Sequence, residues 1–420
     1  MNINAPVNES GSGTGFTKTG RGTLLHPHAN FNPSGTIWIK EGLFLRNGNA
    51  TPSFKGDVVV GGGAFPAKLV IGASCHNNTL AAAKNLAILP GGSLVFEKSA
   101  AISSLNQLVI TNGFLDCFGG TCGQPMTSTE EIKFSFKGAT VTNATISVWG
   151  GTLEVLAAEK PSVLYGSLAY TAEKDQAVEN GAAPVDLLVD GDFSAASRGV
   201  NYAGPGTMVL RVGDHVSMWG GAAGRAFNVY AGEFFFESSE SAGIGMGTNN
   251  VVVAAGATYG AVGRHVGAEV PLRGRWGNVS VNGAAGNPAI FAIGRKEIAT
   301  GALLPGTYTM GSAEQTNDVT LAANSVLQIA ADRTSFSKLV VNGTLTIADN
   351  DTLAITGPAD AAALPYGEHV IVETKEAMSR QFANVTYNGS PLSVAQGRVV
   401  QESNRIVFNR KRRHTIIVVH

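Results

Sequence analysis

The chain has 420 residues, of which 53 are glycine and 15% are charged, and its formal net charge is −1. Average proteins contain about 7% glycine and about 25% charged residues, so this composition favours strands joined by many tight turns. The near-neutral charge excludes wholesale nucleic-acid binding, which needs a basic face that displaces counterions.

A short phrase recurs along the chain: a turn residue, a small or polar residue, and then alternating apolar residues. It begins, for example, at Gly22, Gly92, Gly151, Gly206 and Gly343. Several neighbouring copies lie roughly 20 to 25 residues apart, the spacing of one coil in a stacked β architecture. One coil cannot bury its own apolar face, so such coils are stable only as a stack. The pattern predicts a β-solenoid whose interior holds the repeated leucines, namely Leu24, Leu43, Leu94, Leu153, Leu210, Leu345 and Leu353.

Residues 11–50 contain the clearest copies of the phrase. The segment Lys18-Thr-Gly-Arg-Gly-Thr-Leu24 is followed by Gly35-Thr-Ile-Trp-Ile-Lys-Glu-Gly-Leu43. In order and spacing, these segments resemble the autotransporter-associated β-strand repeat, also called the passenger-associated transport repeat. A weaker echo begins at Gly204. The resemblance implies an all-β fold, a right-handed single-stranded parallel β-helix, on an exported bacterial protein located outside the cell or on its outer surface.

The predicted organisation has three parts in chain order. Residues 1–15 are expected to form a flexible lead-in, and residues 16–357 the β-helix. Near residues 157–186 the rhythm breaks where Glu, Lys and Pro crowd together, which predicts an excursion from the stack, since insertions in solenoids form loops on one face. Residues 358–420 are expected to form a C-terminal cap that closes the open end, followed by a basic and apolar tail.

The tail consists of Arg410-Lys-Arg-Arg413 followed by Thr415-Ile-Ile-Val-Val419. One interpretation is an ordered strand that promotes self-association through the solenoid ends, because exposed strand edges recruit other strands. The other is a frayed tail that its basic residues keep in solution.

The chain lacks the features of a membrane-inserted or signal-bearing sequence. No stretch approaches the ~20 apolar residues of a membrane-spanning helix, so we expect no direct membrane insertion of this segment. The N-terminus has neither the basic start nor the apolar core of a signal peptide. The chain is therefore either cytoplasmic or an excised piece of a longer exported protein, and its opening in mid-pattern favours the second.

Acidic residues lie close together at two places, Asp190-Gly-Asp192 and Asp349-Asn-Asp351. The i, i+2 spacing could direct both carboxylates to one side of a strand, as general acid–base catalysis requires. Aspartate and asparagine are also favoured in turns for local reasons, and we interpret both pairs as turns. We therefore predict no catalytic residues. The alternative is a carbohydrate-active β-helix enzyme, a polysaccharide lyase or hydrolase of the pectin-lyase type.

Metal and cofactor sites are not predicted either. His26-Pro-His28 could supply two imidazoles of a metal site, but no third ligand is near in sequence. Glycine-rich stretches such as Gly61-Gly-Gly63 lack the strand-then-helix context that a phosphate-binding loop needs.

The chain has three cysteines, and two of them, Cys117 and Cys122, bracket a four-residue loop. This loop could close into a small disulfide in an oxidising compartment. Alternatively, the two residues are buried thiols at strand ends.

The tryptophans are the remaining candidates for a functional surface. Each lies in or beside a predicted strand, and any that point outward could stack on a sugar ring or a protein partner. Inward-pointing rings would belong to the core. The candidate ligand-stacking residues are Trp38, Trp149, Trp219 and Trp276. From these features we predict a non-catalytic structural or adhesive segment of a bacterial surface protein, with a glycan or a host or cell-surface protein as partner.

Overall fold

The computed structural model describes residues 1–3, 7, 13–28, 31–48, 54–75, 80, 83–99, 101–102, 105–122, 132–148, 151–170, 175–195, 200–212, 226–238, 250–265, 277–312 and 316–411. They belong to two compact units, Met1–Ala222 and Ala223–His420. Across these ranges the regular structure is β-strand apart from one 3-10 turn at Ala361–Ala363. No helix in the described part of the chain has the length and apolar character to cross a membrane.

The first unit consists of short strands. In chain order they are β1 Phe16–Lys18, β2 Thr23–His26, β3 Ile37–Ile39, β4 Gly42–Arg46, β5 Val58–Val60, β6 Ala67–Ile71, β7 Asn85–Ile88, β8 Gly92–Phe96, β9 Ala101–Ile102, β10 Gln107–Thr111, β11 Phe114–Cys122, β12 Lys133–Lys137, β13 Thr140–Val148, β14 Thr152–Val155, β15 Ser162–Tyr170, β16 Asp175–Val178, β17 Leu187–Asp190, β18 Phe193–Ala195, β19 Val200–Tyr202 and β20 Thr207–Arg211.

Two parallel sheets run through this unit. One has the order β1-β3-β5-β7-β10-β12-β14-β16-β19, and the other the order β2-β4-β6-β8-β11-β13-β15-β17-β20. Because each strand pairs in register with the equivalent strand of the next coil, the chain winds as a β-solenoid, as the repeated phrase predicts. Met1–Ile3 continue the second sheet by pairing along β2, where Ile3 N donates to Leu25 O at 2.9 Å.

The interior of the second sheet is a continuous ladder of buried apolar side chains. One residue from each coil contributes to it, in the order Leu24, Phe44, Leu69, Leu94, Leu115, Val141, Leu164, Val189 and Leu210. The predicted interior positions are confirmed for Leu24, Leu94, Leu153, Leu210, Leu345 and Leu353.

The interior position predicted for Leu43 is wrong. Leu43 pairs with Thr23, on the outer side of the sheet, whereas the interior partner of Leu24 is Phe44. In most copies of the phrase the first interior residue is the second after the turn residue, as after Gly22, Gly92 and Gly343, whereas Leu43 is only the first after Gly42. Since side chains alternate between faces, a shift of one residue places Leu43 on the opposite face. Gly42 itself has a φ of +72°, and a Cβ there would lie 2.4 Å from Gly20 O, so only glycine fits.

The second unit has strands β21 Ala226–Val229, β22 Glu233–Glu237, β23 Asn250–Val253, β24 Thr258–His265, β25 Val279–Val281, β26 Ile290–Ile293, β27 Arg295–Lys296, β28 Leu303–Leu304, β29 Thr307–Met310, β30 Val319–Leu321, β31 Val326–Ala330, β32 Lys338–Val341, β33 Leu345–Ile347, β34 Thr352–Thr356, β35 Gly367–Thr374, β36 Asn384–Tyr387, β37 Ser390–Pro391, β38 Arg398–Gln401 and β39 Arg405–Arg410.

Parallel ladders again form the stack: β21-β23-β25-β30-β33, β22-β24-β26-β31-β34-β36, and β24-β29-β32-β35. Aromatic rings fill much of this interior. Tyr259 stacks on Phe234 and Phe291 at centroid distances of 6.3 and 5.7 Å, and its hydroxyl lies 3.2 Å from that of Tyr308. Burial raises the pKa of both tyrosines, so the hydroxyls stay protonated and can share this hydrogen bond.

Pairing changes at the end of the second unit. β39 pairs antiparallel with β35 and β38, and β36 pairs antiparallel with β37. The role of these strands as a cap and the right-handed sense of the coil stay predictions. The apolar tail at residues 415–419 lies outside the described residues.

The excursion expected near residues 157–186 does not involve β15 or β16, because both strands pair within the two sheets. β15 pairs parallel with β13 on one side and β17 on the other, so it is a regular coil. Among the charged residues of this segment, Glu159, Lys160, Asp175 and Glu179 are exposed. Asp186 is buried, and its carboxylate accepts hydrogen bonds from Gly181 N and Thr207 N at 2.8 Å each. An excursion lies instead in the second unit, where β27 and β28 form an antiparallel hairpin between two stack strands. Lys296 joins this hairpin to β22 through an ion pair with Glu233, Nζ to Oε2 2.5 Å.

Candidate functional site

One row of outward-facing side chains in the first unit combines an aromatic ring with hydrogen-bonding groups. The residues lie side by side on β11, β13, β15, β17 and β20. At ~4.8 Å between neighbouring strands, five rungs span ~19 Å of surface. We name this row the Tyr165 patch; it consists of Asp116, Thr142, Tyr165, Asp190 and Arg211.

Strand alternation positions Tyr165 at the centre of the row. Its neighbour Leu164 is buried in the interior ladder, so Tyr165 projects to the other side and remains 48% exposed. Immediately after it, Gly166 approaches the preceding coil so closely that a Cβ would lie 2.2 Å from Ala144 O. The backbone next to Tyr165 therefore packs directly against the preceding coil.

Polar contacts order the two ends of the Tyr165 patch. At one end, Asp116 Oδ1 accepts hydrogen bonds from Phe118 N at 2.9 Å and Asn143 Nδ2 at 3.2 Å. At the other end, Asp190 Oδ2 lies 3.7 Å from Arg211 Nη1. The patch therefore presents a half-exposed ring flanked by charged groups that can accept and donate hydrogen bonds. A sugar ring or a polar protein surface suits this combination.

Sequence analysis did not identify Tyr165. The alternation of Val163, Leu164 and Tyr165 contains the signal that the ring points outward. The other members of the patch come from separate coils, and only the register between coils brings them beside it.

Trp38, the one predicted stacking residue within the described ranges, points outward between the buried Ile37 and Ile39. Its indole Nε1 donates to Gly61 O at 2.9 Å, and Lys40 Nζ lies 5.2 Å from the ring centroid. Thr17 and Val59 flank it on the neighbouring strands. The ring is thus half-buried and fixed by its own hydrogen bond. Trp149, Trp219 and Trp276 lie outside the described residues.

The structure separates the members of the acidic pairs. Asp351 is fully buried and accepts hydrogen bonds from Ser325 N at 2.9 Å and Ala348 N at 2.7 Å. Asp349 is 80% exposed and forms an ion pair with Arg380. Likewise, Asp190 forms an ion pair with Arg211, whereas Asp192, which follows Gly191, is exposed. Within neither pair do the two carboxylates have the same surroundings.

The two histidines of the His26-Pro-His28 segment also differ in their surroundings. His26 is buried, with its ring 5.0 Å from that of Phe31, and His28 is half-buried. Their ring centroids are 6.4 Å apart and the planes are inclined at 73°. Over the described ranges, no group of three or more His, Cys, Asp or Glu side chains has the arrangement of a metal site.

A cleft of about 800 Å³ lies in the second unit between β38, β39 and the segment before β35. Its lining includes Tyr366, Arg398, Arg410 and Lys411. The Arg410 guanidinium lies 4.2 Å from the centroid of the Tyr366 ring, and its Nη1 donates to Ala362 O at 3.1 Å. The volume is typical of small-ligand pockets. Its basic lining would favour an anionic group.

Neither a protein-family model nor a curated protein matches this sequence.

Proposed function

We propose that this chain is a non-catalytic structural or adhesive β-helix segment of an exported bacterial surface protein. In this role the solenoid presents the Tyr165 patch to a glycan or to a protein on another cell surface. The observation that carries the proposal is the half-exposed Tyr165 ring in register with Thr142 and with the Asp190–Arg211 ion pair. Repeat proteins commonly bind partners along such extended faces.

The surroundings of the acidic residues support a non-catalytic role over a carbohydrate-active enzyme. A glycosidase needs two carboxyl groups that flank one bond at a defined separation. Asp190 is engaged by Arg211, and Asp351 is bound to two backbone N–H groups inside the second unit. These contacts explain the presence of both carboxylates by structural roles, without a catalytic one.

One outward-facing row of side chains in the second unit supports the structural role. It reads Asn228, Val252, Ser280, Thr320 and Thr346, one residue from each successive strand of the ladder. The row consists of four polar residues and one valine, and none of the five carries a charge. We extend the proposal to self-association through the solenoid ends, since parallel stacks offer strand edges there.

Binding should depend on the Tyr165 ring. We expect Tyr165→Ala to weaken the binding of a glycan or surface protein about two- to twelvefold, because stacking on an aromatic ring contributes about 0.5–1.5 kcal/mol beyond area burial. The labelled chain would be screened on an immobilised glycan panel and on host-cell surface proteins, and the affinity for each hit measured by calorimetry. Tyr230→Ala is the matched control, because Tyr230 is also 48% exposed but lies in the second unit.

Two results would contradict the adhesive proposal. One is a wild-type chain that binds nothing on either panel. The other is an equal loss of affinity in the Tyr165 and Tyr230 variants, which would place binding away from the patch.

The purified chain should not degrade pectin-like or other acidic polysaccharides. The Asp190 carboxylate forms an ion pair with the Arg211 guanidinium at 3.7 Å, so it is already engaged by a neighbour on the same face. New reducing ends and the ultraviolet absorbance of unsaturated products would be followed over time. Turnover by the wild type that disappears in the Asp190→Asn, Asp192→Asn double variant would establish the enzyme alternative instead.

A further inference from the structure

Two of the three cysteines meet inside the first unit. Cys117 Sγ and Cys122 Sγ are 3.0 Å apart, and both side chains are fully buried. Both belong to β11, which bends between them. At the bend, Phe118 has a φ of 50° and Gly119 a φ of 79°, and both residues are exposed. A left-handed conformation is uncommon for a residue with a side chain as large as phenylalanine.

The bend explains why the sulfurs meet. Before it, Leu115 and Cys117 alternate into the interior, and after it Gly120 and Cys122 do the same. The pairing of β11 with β13 shifts register between Asp116 and Gly120, so the backbone ladder is interrupted at this corner. Inward side chains on the two arms of one bend therefore face each other.

We propose that Cys117 and Cys122 are a site of reversible disulfide formation, with a low-molecular-weight disulfide such as oxidised glutathione as the electron acceptor. The sulfurs already lie in contact across one bend, so the bond can form with little movement of the two arms. The inference is independent of the binding role, because it needs only these two thiols and the oxidant.

The reaction is two successive thiol–disulfide exchanges. In the first, one cysteine loses its proton, attacks the small disulfide and releases one small thiolate, which leaves a mixed disulfide on the protein. In the second, the other cysteine loses its proton, attacks the protein sulfur of that mixed disulfide and releases the second small thiolate. The protein loses two electrons and two protons, and the acceptor becomes two thiols.

Burial controls how readily the pair reacts. The hydrogen bond with Cys122 and burial raise the pKa of Cys117 well above its ordinary value, so the folded protein keeps the Cys117 thiol protonated. Attack therefore requires a local opening. The exposed Phe118 and Gly119, at the interruption of the ladder, are where such an opening costs least.

Peptide mapping of the full chain tests the proposal. The folded protein would be incubated with oxidised glutathione, denatured in N-ethylmaleimide and digested with trypsin. Residues 99–133 form one tryptic peptide that contains both cysteines, and residues 69–84 form another that contains only Cys75. Cys75 is the internal control, because its Sγ donates to Arg46 O at 3.0 Å in a different coil.

We expect peptide 99–133 to carry no maleimide and to be lighter by two hydrogen atoms than its reduced form. Peptide 69–84 should carry one maleimide. Treatment with dithiothreitol before blocking should restore two maleimides to peptide 99–133. In Cys122→Ser the second thiol is missing, so the second exchange cannot occur. A glutathione adduct should therefore accumulate on Cys117.

Two maleimides on peptide 99–133 after exposure to the oxidant would overturn the proposal. A stable glutathione adduct on that peptide in the wild type would also overturn it, because the second thiol would then have failed to complete the exchange. The wild-type map decides the question even if the serine variant does not fold.

Discussion

Replacing Leu94 with alanine is expected to lower the free energy of unfolding of the first unit by about 2–5 kcal/mol. Leu94 is 0% exposed and lies in the interior ladder between Leu69 and Leu115. Truncation removes buried apolar surface and leaves a cavity between coils whose backbones are fixed by parallel hydrogen bonds. The effect should reach the neighbouring coils, since each coil is stabilised by the two beside it.

Leu43→Ala is the matched control for this variant. Both leucines follow a turn glycine in the repeated phrase, but Leu43 lies on the outer side of β4. Its truncation should cost less than about 1 kcal/mol, because little buried volume is lost. Chemical denaturation followed by circular dichroism would measure both values. Equal losses in the two variants would contradict the observed register and support the sequence prediction that Leu43 is internal.

Replacing Asp351 should destabilise the second unit, whereas replacing Asp349 two residues earlier should have little effect. The two carboxylate oxygens of Asp351 each accept one backbone N–H, from Ser325 and from Ala348. Asp351→Ala removes the acceptor of Ala348 N and leaves Ser325 N with only its 3.2 Å bond to Ala322 O, so we expect a loss of about 1–3 kcal/mol. Asp351→Asn keeps the shape but turns an NH₂ donor toward one of them, so it should also cost about 1–3 kcal/mol. Asp349→Ala should stay within about 0.5 kcal/mol, because the side chain is exposed.

The pH dependence of unfolding provides a second measurement on Asp351. Burial raises the pKa of this carboxyl above its ordinary value. The folded state therefore keeps the proton to a higher pH than the unfolded chain, and the group's contribution to the free energy of unfolding falls as pH rises through that window. The free energy of unfolding of the wild type minus that of Asp351→Asn should accordingly be larger below the ordinary carboxyl pKa of about 3.9 than at neutral pH. A difference that grows as pH rises would contradict this assignment.

Local patterns predict the fold class well because the interior of a solenoid repeats. The alternation around Ile37 and Ile39, and the position of the interior residue two places after a turn glycine, depend only on neighbours along the chain. Such signals identified six interior leucines and the β-solenoid itself. They failed at Leu43, where the phrase is one residue shorter, because a strand of period two exchanges its faces on a single-residue shift.

Stacked coils, and the glycines at their turns, can be predicted from the chain alone, since both follow from short-range periodicity and backbone sterics. Which strands lie side by side, and in which register, is evident only in the folded molecule. That register placed Tyr165 next to Asp190 and buried Asp351 while leaving Asp349 exposed. The bend within β11 brought Cys117 and Cys122 together. The physical reason is that loops of variable length separate the coils, so the register is set by packing of the whole interior and not by any local stretch.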